Sequence, residues 1–185
     1  MPTTSGSHTQ NKCLYHPVEG TQSMWKYREF DAYNSISLHD CRADNIQLDG
    51  SDLIFDFPNG FKITPASPHC NHERPVFTGP AQLCFHGVFE DMPFNAIHIY
   101  KTTRLFRYPI LCRRLQTEYP AFLKKFQTGK YELEFLTEYH QPPFDSLYQC
   151  WIWKKDGGMV AECQFDLFAK SIEYRWNEIT RMYDF

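Results

Sequence analysis

The chain has 185 residues, a formal net charge of −3, and 42% hydrophobic and 17% aromatic residues, enough apolar material for the core of one domain. No long basic run is present, which argues against a dedicated nucleic-acid surface, and no apolar run approaches the ~20 residues that span a bilayer. The seven cysteines are odd in number, scattered and without a CxxC pair, a usage that fits reduced thiols in a cytoplasmic protein and not a disulfide framework.

Residues 1–24 are polar and aperiodic, and the opening MPTTSGSHTQNK lacks the charged-then-apolar pattern of a signal peptide. They are expected to form a mobile tail and an irregular lead-in, ahead of a single β-rich domain over residues 25–185. Trp25, Tyr27 and Phe30 suit a short segment packed on a sheet.

The stretch Ser37 to Thr64 predicts a three-stranded meander. Ile46 and Leu48, then Leu53, Phe55 and Phe57, then Phe61 and Ile63 alternate with polar residues, the period of strands with one buried face. A two-residue Gly50-Ser51 turn sets Leu48 opposite Leu53 and Ile46 opposite Phe55. A three-residue Pro58-Asn59-Gly60 loop, with Gly60 at positive φ, would set Phe57 opposite Phe61 and Phe55 opposite Ile63. The alternative two-residue loop would place Phe57 against Lys62, a charge beside the core.

Pro65 to Pro80 holds four prolines and the sequence His69-Cys70-Asn71-His72, and reads as an ordered loop crossing between layers. Alternation resumes over Ala81 to Phe89, with Leu83 and Phe85 on one face and Gln82, Cys84 and His86 on the other. Ile97 and Ile99 flank His98 in a further strand. Ile110 to Thr117 suggests a short helix with Arg113 and Arg114 on its wet side. Glu118 to Thr128 is the strong helical candidate, with Pro120 in its first turn, Gly129 just past its end and a Phe122, Leu123, Phe126 stripe. Arg104, Arg107, Arg113, Arg114, Lys124 and Lys125 then read as a solvated face of this helical region.

Strands return over Tyr131 to Phe135, Leu147 to Trp153, Met159 to Leu167 and Ile172 to Trp176. About nine strands with one or two short helices predict a mainly β protein, an antiparallel β-sandwich or open barrel.

Three groups of residues could carry chemistry. His39, Asp40, Cys41, His69, Cys70 and His72 are metal-ligand types, but HCNH matches no zinc spacing. The expectation is therefore no bound metal and no cofactor, with hydrogen-bonded histidines as the plainer reading. His39, Asp40 and Cys41 also supply the residue types of a thiol nucleophile, base and orienter. Adjacent strand residues point to opposite faces, so a triad would need a partner such as His86 or His98. The chain has no phosphate loop, GxSxG or HExxH motif. The third group is aromatic. Leu147 to Trp153 is apolar on both faces, so its outer side is either roofed by the helix at 118–128 or open to a partner. Trp151, Trp153 and Trp176 are the candidate contact residues.

The segments SLHDC at 37–41, LIFDF at 53–57, Gly60-Phe61, YELEF at 131–135 and IEYRW at 172–176 together resemble small bacterial β-rich proteins of unknown function, some similar to immunity proteins of polymorphic toxin systems. The resemblance implies a non-enzymatic cytoplasmic binding module for a protein partner and supplies no catalytic residues. The alternatives are a metal-assisted or thiol-dependent enzyme around His39, Asp40 and Cys41, and a carbohydrate-binding sandwich using its tryptophans.

Overall fold

The computed structural model describes residues 25–88, 96–105, 108–141 and 145–182. The expected tail at 1–24 lies outside them. In chain order the strands are β1 (Tyr27–Phe30), β2 (Ile36–Ser37), β3 (Arg42–Ala43), β4 (Asn45–Asp49), β5 (Asp52–Phe57), β6 (Lys62–Ile63), β7 (Val76–Thr78), β8 (Ala81–His86), β9 (Ile97–Leu105) and β10 (Tyr108–Thr117). Helix α1 (Tyr119–Phe126) follows, then β11 (Tyr131–Gln141), β12 (Asp145–Lys154), β13 (Met159–Phe168), β14 (Ser171–Trp176) and β15 (Ile179–Met182).

All pairings are antiparallel. One sheet has the order β1-β14-β8-β5-β4, a second β10-β9-β13-β12-β11-β3, and a small third sheet β15-β7-β6-β2. The two large sheets pack face to face as a sandwich. Period-2 alternation supplies the inner faces: Leu53, Phe55, Phe57, Leu83 and Phe85 from one sheet, and Leu133, Phe135, Tyr148, Cys150, Ile152 and Phe165 from the other, are all buried. Their rings interlock. Phe55 lies 5.8 Å from Phe135 in an edge contact and 5.9 Å from Phe165 in a stack, while Phe85 meets Tyr148 edge-on at 5.6 Å. Burying one such side chain is worth up to ~3 kcal/mol.

The first hairpin has the expected register, with Ile46 opposite Phe55 and Leu48 opposite Leu53. Gly50 at the turn has φ +61°. The second turn has the expected chemistry and a different consequence. Gly60 has φ +70°, and its N–H donates to the Phe57 carbonyl at 3.0 Å. The chain then leaves the sheet. β5 already has β4 on one edge and β8 on the other, so no edge remains for a third meander strand. Phe61 bonds to Thr78 instead, its N–H donating to Thr78 Oγ1 and its carbonyl accepting from the Thr78 N–H, both at 3.0 Å. β6 pairs with β2 and β7. Phe57 and Phe61 still touch edge-to-face at 6.0 Å, as rings and not as strand partners. A Cβ added at Gly60 would lie 2.2 Å from Thr78 Oγ1 and 2.4 Å from the Gly79 carbonyl oxygen. Gly60→Val therefore costs more than the ~1–2 kcal/mol of left-handed strain alone.

Ile110 to Thr117 forms no helix; it belongs to the edge strand β10, paired with β9 from Tyr108 to Thr117. A helix there would need a buried stripe, and residues 111–116 are all exposed. Cross-strand hydrogen bonds hold the segment instead, with a register shift between Pro109 and Leu111 where proline offers no N–H. The helix α1 matches its prediction. Pro120 sits in its first turn, Gly129 beyond its end has φ +68°, and Phe122, Leu123 and Phe126 are buried. Its stripe joins the core, packing on β4 and β11. It does not serve as a roof on the outer side of β12. The surplus over nine strands comes from short ones such as β2, β3 and β6, two residues each, too brief to carry a period.

Candidate functional site

β12 alternates through the core layer. Ser146, Tyr148, Cys150 and Ile152 point inward, leaving Leu147, Gln149, Trp151 and Trp153 on the outer face of the six-stranded sheet. Trp151 stands opposite Glu134 and Glu162, and Trp153 opposite Glu132 and Met159. The two indoles meet edge-to-face at 6.0 Å and 68°. On the edge strand β3, beyond β11, Arg42 lays its guanidinium 4.5 Å from the Trp153 ring centroid. Glu132 and Glu134 hold that guanidinium, 3.4 and 3.2 Å from its Nη1 and Nη2. Beside Trp151 lies a depression of about 140 Å³ lined by Tyr100, Leu136, Gln149, Glu162 and Gln164. Both tryptophans are half-buried, and Tyr139 on the same sheet face is 55% exposed.

Trp176, expected on this surface, is elsewhere and fully buried. Tyr27 stacks on it at 5.5 Å, His69 meets its edge at 5.6 Å, and Phe61 closes another side at 5.8 Å. The loop carrying HCNH thus covers this ring.

The polar candidates do not converge. His39 Nδ1 lies 2.8 Å from Asp40 Oδ2 on the surface, and Asp40 also approaches Lys62 Nζ at 3.7 Å. Cys41 turns into the core. Burial, which outweighs the nearby Lys62, pushes its thiol up to about 12, so it is no nucleophile at neutral pH. His69 faces Glu29 at 3.9 Å, Cys70 Sγ donates to the His72 and Arg74 carbonyls, and His72 is exposed. Among the described residues, the one group of three metal-ligand types gathered within 4.8 Å is a different one: Asp52, Cys84 and His86.

That group lies on the outer face of the five-stranded sheet. His86 Nδ1 is 2.8 Å from Asp52 Oδ2 and 3.7 Å from Cys84 Sγ, and His86 Nε2 is 2.9 Å from Glu173 Oε2. The Glu173 side chain is 0% exposed, and its other oxygen accepts from Arg28 Nε. Burial pushes the Glu173 carboxyl up, but Arg28 and His86 together outweigh it and hold the group below its ordinary value. Hydrogen bonding to Cys84, Asp52 and Glu173, against the cost of burial, raises His86 to about 10. The signal for this cluster was half visible. Alternation along β8 puts Cys84 and His86 on one face, but Asp52 and Glu173 arrive from β5 and β14, whose pairing with β8 is non-local.

The fold and these faces define an antiparallel β-sandwich with one aromatic and one charged outer surface. No protein-family model matches the chain, and no curated protein or solved structure matches it. Among the described residues no helix is long and apolar enough to cross a membrane.

Proposed function

We propose that the protein is a non-enzymatic binding module whose partner is another protein, docked on the outer face of the six-stranded sheet. The observation that carries this reading is the half-buried Trp151–Trp153 pair beside its depression. Tryptophan, tyrosine and arginine in such a setting are the usual anchors of protein interfaces. The flanking Glu132, Glu162 and Gln149 supply a polar rim. The carbohydrate alternative is less well supported: a sugar ring stacks best on a coplanar platform, and these indoles stand at 68°. The thiol alternative loses support from the inward Cys41.

The finer reading rests on the resemblance given above: a bacterial cytoplasmic module that neutralises a toxin. The cysteines favour a reducing compartment. They are scattered along the chain and include no CxxC pair. The test is affinity purification from native cells with three baits: the full chain, Trp151→Ala and Gln47→Ala on the opposite sheet. A protein retained by the first and third and lost from the second supports the reading. A partner retained equally by all three overturns it.

A further inference from the structure

We propose that Asp52, Cys84 and His86 form a binding site for a divalent transition metal, zinc being the best match, on the outer face of the five-stranded sheet. This goes beyond the protein-binding reading and uses the other side of the molecule. The donor set comprises one carboxylate oxygen, one sulfur and one imidazole nitrogen. Zinc accepts each of these, and three protein ligands leave a fourth position for water.

The spacing fits. Zinc with donors at about 2.0–2.3 Å in tetrahedral geometry separates neighbouring donors by roughly 3.3–3.6 Å. Here His86 Nδ1 stands 3.7 Å from Cys84 Sγ and 2.8 Å from Asp52 Oδ2. Seating the ion requires Asp52 and His86 to part by about half an ångström. Asp52 and His86 are partly open to solvent, at 34% and 27% side-chain exposure, which gives the ion a way in. On binding, Cys84 Sγ and His86 Nδ1 each give up a proton to solvent.

A second, independent feature points the same way. Metal-bound histidines almost always direct their other ring nitrogen at a carboxylate, a backbone carbonyl or a water, which fixes the tautomer and ring orientation. His86 Nε2 meets Glu173 Oε2 at 2.9 Å. Glu173 is fully buried and is itself held by Arg28, with Arg175 Nη1 3.8 Å away. The third ligand is oriented too, since Asp52 Oδ1 accepts from the Gly87 N–H at 3.0 Å, leaving Oδ2 toward the cluster. The charges balance: a dication meets one thiolate and one carboxylate, and Glu173 is neutralised by Arg28. The competing account is that His86 is a charged group clamped between two carboxylates and nothing more.

Cobalt(II) added to chelator-treated full-length protein separates the two. The expected result is one tightly bound cobalt per chain with a thiolate-to-cobalt charge-transfer band, erased by zinc. Cys84→Ser, nearly isosteric, should abolish the band. Asp52→Asn and Glu173→Gln should each weaken binding about tenfold or more while circular dichroism is retained, and Cys70→Ser and His72→Ala should leave it unchanged. Zinc, and not magnesium, should raise the melting temperature of the unsubstituted protein, a readout that needs no variant to fold. Absence of the band in folded protein, or a band that survives Cys84→Ser, overturns the proposal.

Discussion

The two outer faces of the sandwich arise from the same strand alternation and differ in how their groups find partners. On the five-stranded sheet, Asn45 and Gln82 donate to Asp56, Arg175 Nε donates to Gln82 Oε1 at 2.8 Å, and His86 bridges Asp52 and Glu173. Its outlying ring, Phe30, stacks over His86 at 6.2 Å with Arg28 beside it, though it is 54% exposed. On the six-stranded sheet, Trp151, Trp153, Tyr139 and Met159 keep apolar area in contact with water. Hydrogen-bonded polar groups gain little from a further partner. Exposed aromatic area gains about 25 cal/mol per Å² when one covers it.

The largest expected effect concerns the layer that both faces enclose. Burial pushes the Cys41 and Cys163 thiols up to about 12 from an ordinary value of 9. Between those values the folded protein holds protons that the unfolded chain releases, so stability falls as pH rises, by ~1.4 kcal/mol per pH unit for each thiol. Tyr148 and Tyr174, raised in the same direction by burial, add to the loss above pH ~10. Denaturant melts should show stability beginning to fall above pH ~6.5, where folded His86 keeps a proton that the unfolded chain releases, and a steeper decline from ~9 toward 12. Cys163→Ala should flatten that decline; a flat profile in the unsubstituted protein would show that the core is wet.

Next is Glu173→Ala. Removing a fully buried carboxylate strands Arg28 and His86, and should cost about 2–4 kcal/mol in urea unfolding without altering partner binding. A cost under ~1 kcal/mol would mean that the charged face does not depend on its internal bonds.

Much of the frame was legible because strand period and turn chemistry are local. The hairpin through Gly50, helix α1 from Pro120 to Gly129 and the inner and outer sides of β12 follow from residues a few positions apart. What escaped depends on which strands become neighbours. Pro58-Asn59-Gly60 specifies a turn, but only the occupied edges of β5 decide that Phe61 leaves for Thr78. His39, Asp40 and Cys41 attracted attention by adjacency in the chain, whereas Cys84 and His86 gain their carboxylates from β5 and β14. Trp176 looked like a surface ring because nothing in the sequence says that His69 and Tyr27 fold over it. Ile110 to Thr117 reads as a helix in the sequence because edge-strand residues exposed on both sides carry no alternation.

Arg42→Ala probes the same contrast at smaller scale. Its partly exposed guanidinium gains a cation–π contact with Trp153 and bonds to the largely covered carboxylates of Glu132 and Glu134. Its loss should cost about 1 kcal/mol or less, while freeing Trp153 and changing its fluorescence. Trp151→Ala is expected to be the mildest for folding, about 1 kcal/mol, because the ring is not fully buried, and the most damaging for docking.

The most direct measurement of the docking claim places a photo-crosslinking amino acid in native cells at Gln149, beside Trp151, or at Gln47, on the opposite face. The aromatic-face account predicts a discrete protein adduct from Gln149 that disappears with Trp151→Ala, and none from Gln47. An adduct from Gln47 alone, or no adduct from either position, would contradict it.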